Sequence, residues 1–183
     1  HDGQGMQVHH AGLQAAVFFG RGRLDPVGTL APHGIVEGPA EVRLVGCGVL
    51  RQSSRTPVEA RLVALFDGIS NLIEKHHPEA MAVEEPFAGI NVRSAFMIGR
   101  AQAIAILAAA RYHLPVSYYT PAEVKRHVSG YGQGDKEQIR TMVMLELGEK
   151  EAGVSTDATD ALAIALCHLH KSEAGRRLRG MYL

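Results

Sequence analysis

The sequence predicts an α/β fold in which helices cover a sheet of mixed strand direction. The order of the elements is the main reason, because a β-hairpin pattern comes first and strands then alternate with helices. The composition agrees, since 183 residues with 46% apolar and 21% charged residues are typical of one globular domain with a core. The longest apolar run, residues 103–110, is far shorter than the roughly 20 residues of a membrane span. We therefore expect one domain that does not cross a membrane.

Each element carries its own local signature. Gly38-Pro39 between two Val- and Leu-rich stretches predicts a hairpin. Apolar residues at helical spacing behind Thr56-Pro57 predict a first helix that opens with a capping box, and the same Thr-Pro pattern recurs at Thr120-Pro121. In chain order we predict strands at 33–37 and 42–51, a helix that begins at 57 and stops at 76–78, a strand at 81–85, a helix at 92–113, a strand at 115–119, and three helices that begin after Thr120, Asp135 and Ser155 or Thr156.

The two ends of the chain differ in composition from its middle. Residues 1–16 are rich in Gly, Gln and His and show no clean period, which predicts a loose N-terminal extension. Residues 171–183 are predominantly basic and predict a C-terminal tail. The folded domain is therefore expected over residues 17–170.

Composition also bounds the function. Cys47 and Cys167 lie far apart and outside any Cys-x-x-Cys spacing, which argues against a disulfide framework or a zinc site and fits a reducing cytoplasm. The formal net charge of zero excludes a uniformly basic nucleic-acid binder. However, residues 37–85 carry eight acids and five bases, whereas residues 91–140 carry seven bases and three acids. This segregation can indicate a polyanion held beside a metal site, but charge alone favours the alternative, an ordinary solvated surface with a basic tail.

Carboxylates stand where ligand sites form in α/β sheets. Glu84 ends an apolar strand, and Glu85 points to the other face because side chains alternate along a strand. Asp157 and Asp160 share one helix face, although stabilisation by the helix dipole in the first turn would also explain them. Asp25, before the hairpin, would add a third location.

Oxygen ligands from three elements are typical of Mg²⁺ or Mn²⁺, and several carboxylates suit a pair of ions. Two such ions can activate a water molecule and stabilise the leaving oxygen in a phosphodiester displacement. Lys136, beside a Gly-rich loop and a helix start, could then contact the phosphate. The residues thus predict metal-dependent phosphodiester chemistry.

Four stretches in a fixed order carry a family resemblance. They are MAVEEPF at 81–87, AFMIGRAQ at 95–102, the VK, GYG and DK residues within 124–136, and DATDALAIA at 157–165. Together they resemble RuvC-type Holliday junction resolvases, the crossover-junction endodeoxyribonucleases of the RNase H-like superfamily. The resemblance runs from about Leu24 to His170 and is most specific at 157–165, which is similar to the family's D-A-x-D-A-L-A-I-A signature.

The resemblance implies an RNase H-like mixed five-stranded sheet with helices on both faces. It implies a homodimer that resolves four-way DNA junctions by paired symmetric nicks, in recombination, repair and the SOS response, together with a branch-migration helicase complex of the RuvA/RuvB type. The cofactor would be Mg²⁺, as two ions, with Mn²⁺ as a substitute. By position, the catalytic metal ligands would be Asp25, Glu84, Asp157 and Asp160, with Lys136 by the scissile phosphate, Lys125 on the DNA backbone and Phe87 against an unstacked base.

The first strand departs from the family pattern. Arg21 and Arg23 fall where a central, buried strand is expected, and a buried unpaired arginine costs several kcal/mol. Pro32 also removes a ladder donor from the next strand. We therefore predict a first strand that is distorted, shortened or shifted. Two alternatives follow for the function: a catalytically impaired junction-binding module of the same fold, or an RNA-processing nuclease. For Phe87 the alternative is packing in the core or at a dimer interface.

Overall fold

One mixed sheet forms the centre of the computed structural model, which describes residues 14–18, 23–25, 28–38, 41–85, 92–130, 135–149 and 153–180. The strands are β1 Gln14–Phe18, β2 Arg23–Asp25, β3 Gly28–Glu37, β4 Arg43–Ser53, β5 Ala80–Glu84 and β6 Val116–Tyr119. The helices are α1 Val58–His76, α2 Val92–Arg111, α3 Pro121–Ser129, α4 Lys136–Glu146 and α5 Thr156–Gly180. None of the helices in the described part of the chain is long and apolar enough to cross a membrane.

The first strand of the domain is split in two. β4 pairs antiparallel with β3 over the whole length of β3, so β1 and β2 must both lie along the other edge of β3. Four residues separate β1 from β2, whereas only two residues of β3 lie opposite this gap. Among the described residues the sheet therefore contains six strands, whereas five were predicted. The distortion that Arg21 and Arg23 predict in the first strand is confirmed.

Strand direction changes at β1. β1 is antiparallel to β3 but parallel to β5, and β5 is parallel to β6. The chain reaches each parallel partner through a helix, α1 before β5 and α2 before β6. The predicted mixed sheet is confirmed, and the carboxyl ends of β5 and β6 meet at one edge.

Helices cover both faces of the sheet, as predicted. Met81 and Val83 pack with α1 and α2, whereas Ala82 packs with α3, α4 and α5, because successive side chains of β5 point to opposite faces. All three side chains are fully buried. Burial of a side chain as large as Met81 contributes roughly 1.5–3 kcal/mol relative to leaving it exposed.

The helix α5 lies unusually close to β3. A Cβ atom added at Gly34 would approach Leu162 to 2.7 Å at Cδ2 and 2.9 Å at its backbone nitrogen. The flanking residues Ala158, Ala161 and Ala165 are small and buried, which suits close packing of a helix on a sheet. This contact sets the position along β3 at which the N-terminal part of α5 crosses the sheet.

Several boundaries differ from the predictions. The capping box at Thr56 is wrong: the N-cap of α1 is Pro57, with no side-chain hydrogen bond to the first turn. Part of the predicted loose extension belongs to the sheet, because β1 begins at Gln14. The segment predicted as a basic tail is helical as far as Gly180, since α5 continues through it. In contrast, the capping box at Thr120 is confirmed.

Candidate active site

Two carboxylates and two lysines from four elements line one pocket. Glu84 comes from β5, Lys125 from α3, Lys136 from α4 and Asp160 from α5. The cavity volume of about 90 Å³ is several times the roughly 10–15 Å³ that a single water molecule requires. The rest of the lining is apolar apart from backbone: Pro121, Val124, Ile139, Ala163 and Ile164. The pocket therefore combines two carboxylates and two ammonium groups with an otherwise apolar lining.

Glu84 is held at the end of β5 through its backbone. The side chain of Gln102 on α2 donates a hydrogen bond to the Glu84 carbonyl oxygen at 3.1 Å. The N–H of the next residue, Glu85, donates to the carbonyl oxygen of Tyr119 at 2.8 Å, which extends the pairing with β6 by one residue. Glu84 is half-buried and faces the α3–α5 layer, whereas Glu85 is exposed.

Lys125 is positioned by the capping of α3. The Glu123 N–H donates to Thr120 Oγ1 at 3.2 Å, and the Thr120 N–H donates to Glu123 Oε2 at 2.9 Å. Lys171 of α5 donates to Glu123 Oε1 at 3.0 Å. The Thr120 backbone N–H first, then Lys171 and the Thr120 hydroxyl, which donates to Glu123 Oε2 at 2.9 Å, lower the pKa of Glu123 to about 2. The first turn of α3 is thus attached to α5 just before Lys125.

Lys136 is the first residue of α4. Asp135 caps this helix, since its Oδ1 accepts from the Gln138 N–H at 2.8 Å while Gln138 Oε1 accepts from the Asp135 N–H at 3.2 Å. The side chain of Lys136 lies at the helix N-terminus, where backbone N–H groups and the helix dipole favour anions. An ammonium group beside a helix N-terminus suits a phosphate group.

The two aspartates of α5 differ in exposure. Asp160 is half-buried and lines the pocket, whereas Asp157, one turn nearer the helix start, is exposed and does not. The N-terminus of α5 is capped by Ser155, whose Oγ accepts from the Ala158 N–H at 3.3 Å. Arg140 of α4 donates to the Val154 carbonyl oxygen at 3.0 Å and ties the loop before α5 to α4.

Asp25 does not lie level with Glu84 along the sheet. Val17 is paired with both Gly34 and Ala82, so Glu84, two residues beyond Ala82, extrapolates to the level of Pro32, whereas Asp25 is paired with Gly28. The four residues between these levels correspond to about 14 Å along the strand. The strand that pairs with β5 is Gln14–Phe18, and the place of Asp25 beside Glu84 stays a prediction.

The pocket thus unites four of the seven predicted site residues: Glu84, Lys125, Lys136 and Asp160. Asp157 lies one turn away on α5, and Phe87 falls outside the described residues. Gln102, which holds the Glu84 backbone, was not among the predicted site residues. Its signal in the sequence is that it ends the AFMIGRAQ stretch at 95–102, which carries part of the family resemblance.

The oxygen donors of the pocket suit a hard divalent cation. Among the described side chains, no three His, Cys, Asp or Glu residues form a group that could hold a metal ion. Glu84 and Asp160 are nevertheless a sufficient pair for Mg²⁺, which keeps several waters and is often bound by one or two carboxylates together with substrate phosphates. The residues present therefore fit a magnesium-type site that is completed by substrate.

Known proteins resemble this chain over most of its length. A family model described as crossover junction endodeoxyribonuclease RuvC matches residues 23–168. RuvC of Dehalococcoides mccartyi strain BAV1 is 44% identical over 146 residues, covering 79% of this chain and 87% of the relative. RuvC of Frankia casuarinae is 44% identical over 158 residues, covering 85% of this chain and 92% of the relative. The structure of T. thermophilus RuvC in complex with Holliday junction substrate has 30% identity and a TM-score of 0.80, covering 89% of this chain and 96% of that one. The yeast mitochondrial Holliday junction resolvase, 11% identical with a TM-score of 0.60, shares the fold.

Proposed function

The chain belongs to the RuvC family of crossover junction endodeoxyribonucleases, and we propose that it resolves four-way DNA junctions by paired symmetric nicks made at this pocket. The observation that carries the proposal is the convergence of Glu84 and Asp160 with Lys125 and Lys136. Carboxylates beside two cations fit a metal-dependent reaction on a phosphodiester, because the lysines balance the charge of the DNA backbone. The T. thermophilus relative bound to Holliday junction substrate supports the choice of DNA.

The residues of the pocket take distinct roles in this proposal. Glu84, Asp157 and Asp160 hold Mg²⁺, as two ions, with Mn²⁺ as a substitute, and Asp25 is the fourth proposed ligand. The bound metal supplies activation of water and stabilisation of the leaving oxygen. Lys136 binds the scissile phosphate at the N-terminus of α4. The remaining proposed contacts to DNA are made by Lys125 and Phe87, on the backbone and on an unstacked base.

Asp25 has support of a different kind from that of the other carboxylates. The family match begins at Arg23, so Asp25 lies within the stretch that aligns with the family. The strand register, in contrast, separates the level of Asp25 from that of Glu84 by about 14 Å. The proposal that Asp25 binds metal therefore rests on its place in the family match.

The outer face of α2 supports a homodimer. Val92, Phe96 and Leu107 are 72%, 66% and 57% exposed, and they recur at helical spacing along this helix. Isolated apolar side chains on a surface are ordinary, but a row of them marks a protein interface. A second copy is the occupant that we propose, because two symmetric nicks need two active sites related by a twofold axis.

A charge in this row should separate the protomers. Phe96→Asp is expected to be monomeric by analytical ultracentrifugation and to lose paired nicking, because an aspartate cannot be buried at an apolar interface without a partner. Leu145→Asp is the matched control, since Leu145 is 79% exposed on α4 in the other helical layer. A dimeric Phe96→Asp protein would contradict this interface.

The same family membership supports two further proposals. A branch-migration helicase complex of the RuvA/RuvB type is the proposed partner at the junction. The cytoplasm is the proposed location, because the substrate is chromosomal DNA and the free cysteines Cys47 and Cys167 suit a reducing compartment.

One substrate comparison tests the proposed function. The purified chain is incubated with Mg²⁺ and a synthetic four-way junction, a linear duplex of the same sequence, or a structured RNA. We expect symmetric nicking of the junction only, with binding that weakens steeply as salt rises, since Lys125 and Lys136 displace counterions. Junction binding without cleavage would identify an impaired binding module, and preferential cleavage of RNA would identify an RNA-processing nuclease. Family membership favours the junction endonuclease over both.

A further inference from the structure

Three titratable side chains form a hydrogen-bonded chain that joins α3, α4 and α5. Glu146 Oε1 of α4 lies 2.7 Å from His170 Nε2 of α5. His170 Nδ1 in turn lies 2.9 Å from Nε2 of His127 on α3, and the two rings are 5.1 Å apart between centroids. We call Glu146, His170 and His127 the histidine relay. Each of the three helices contributes one member, and each helix also lines the active-site pocket.

The number of protons on the two histidine rings decides whether the hydrogen bond between them forms. The Glu146 carboxylate requires a proton on His170 Nε2, so in neutral His170 the other nitrogen, Nδ1, accepts a hydrogen bond from His127 Nε2–H. If His170 gains a proton on Nδ1, it donates to His127 instead, and the link persists with the roles reversed. If both rings are protonated, two N–H groups face each other and the link is lost. The relay therefore tolerates one extra proton and breaks on the second.

The surroundings shift the pKa values of the two histidines in opposite directions. The hydrogen bond that His170 donates to Glu146 is the largest cause that raises the pKa of His170, and the charges of Glu146 and Glu173 add to it. Burial is the largest cause that lowers the pKa of His127, and the neighbouring His170 is the next. Lys171 also lowers this pKa, whereas the charge of Glu146 raises it. Because a lowered pKa keeps His127 neutral, the second proton enters only below its ordinary value of about 6.5. The link is thus present at neutral pH and is lost as the pH falls below that value.

Among the described residues, the relay provides one of two side-chain hydrogen-bonded attachments between α3 and α5, beside the apolar packing of Val124 and Val128. At the first turn of α3, Glu123 accepts from Lys171 at 3.0 Å, and Lys171 also lies over the Tyr119 ring, 5.0 Å from its centroid. At the last turn, His127 contacts His170. Lys125 lies between these attachments, two residues from each, on a helix of only nine residues. A short helix held at both ends presents Lys125 in one place.

We propose that the histidine relay is a positioning device that holds α3 on α5 and thereby presents Lys125 to junction DNA in a pH-dependent way. The proposal rests on the proposed DNA-binding role of Lys125. His127, His170 and Glu146 are positioning residues, because none of them lines the pocket. Acid pH releases the last turn of α3 and weakens the contact of Lys125 with phosphate.

Matched substitutions at His127 test the relay through the dissociation constant of a four-way junction. Binding is measured in EDTA at constant ionic strength, at pH 7.5 and at one pH unit below the His127 pKa that the ¹⁵N titration described below gives. His127→Leu should weaken binding roughly 2- to 10-fold at pH 7.5, the effect of one lost hydrogen bond, and should match wild type at the lower pH. His127→Gln should bind like wild type at pH 7.5 and lose less affinity at the lower pH, because an amide can donate to neutral His170 or accept from its protonated form.

Two further variants separate positioning from general effects. His113→Asn removes an exposed histidine outside the relay and should follow wild type at both pH values. In a Lys125→Ala background, His127→Leu should have no further effect, because the relay acts through Lys125. Wild-type pH dependence in His127→Gln, or wild-type affinity of His127→Leu at pH 7.5, would overturn the proposal.

A titration without DNA keeps the relay distinguishable from the role of Lys125. Imidazole ¹⁵N resonances of the free protein should show His170 titrating above 6.5 and His127 below it, and Glu146→Gln should lower the pKa of His170. Two histidines that titrate together near 6.5 would refute the relay itself. Wild-type junction affinity of Lys125→Ala would instead refute the proposed role of Lys125, and with it the proposal.

Discussion

Replacement of Glu84 by Gln is expected to lower the rate of junction nicking by at least about 10³-fold while junction binding stays nearly unchanged. The reason is that the carboxylate holds metal, and a bound metal contributes several kcal/mol to the transition state, at about 1.4 kcal/mol for each tenfold change in rate. Gln has nearly the same shape, and the contact that holds this position uses the backbone carbonyl oxygen, which accepts from Gln102. The measurement is single-turnover nicking of a four-way junction with Mg²⁺, alongside its dissociation constant in EDTA.

Glu85→Gln is the matched control, because the same chemical change is made one residue later at an exposed position. Its nicking rate should equal that of the wild type. If Glu84→Gln lost cleavage and binding to the same extent, Glu84 would have a structural role and the proposed metal site would be wrong.

Asp160→Asn is expected to have an effect of similar size on nicking and to remove the response of the protein to metal. At a Mn²⁺ concentration 100 times its dissociation constant, binding to the native state adds about 2.7 kcal/mol of stability. For a chain of this length that corresponds to a rise of roughly 5–10 °C in Tm. The rise should be present in the wild type and absent in Asp160→Asn. A full Mn²⁺-dependent rise in the variant would exclude Asp160 from the ligand set.

Asp25→Asn and Asp157→Asn extend the same measurement to the other proposed ligands. If Asp25 binds metal, its substitution should lower nicking as strongly as Asp160→Asn, at least about 10³-fold. A loss smaller than about threefold would remove Asp25 from the set and agree with the strand register. Asp157 is exposed one turn from the pocket, so the metal-induced rise in Tm should decrease but persist in Asp157→Asn.

Local signals predicted most of the elements because they act within a few residues. The Thr120–Glu123 capping box and the left-handed Gly130, at a φ of 67°, bound α3 where the sequence predicts it. The similar pattern at Thr56 failed, since α1 begins one residue later and its N-cap is Pro57. A capping motif supplies a side chain that can accept a hydrogen bond from the first turn of the helix. That bond forms only where the backbone before the helix has the conformation that an N-cap residue requires.

The first strand shows what local sequence signals can and do not predict. Arg21 and Arg23 predict that a regular buried strand is interrupted, and the split between β1 and β2 confirms this. They do not predict that Gln14–Phe18 takes the central position beside β5. That choice depends on pairing with β5, more than 60 residues away along the chain, and its free energy comes from the packed sheet as a whole.

The motifs were sufficient to identify the family and to nominate Glu84, Asp157, Asp160, Lys125 and Lys136, because chemistry fixes the residue types at a site and their order along the chain. Packing of α3, α4 and α5 on one face of the sheet was needed to bring four of those side chains into one pocket and to set Asp160 apart from Asp157. The histidine relay left no mark in the sequence, since His127, Glu146 and His170 are 19 and 24 residues apart and belong to no motif. Such contacts follow from the distances between helices, which are properties of the folded core and not of any segment within it.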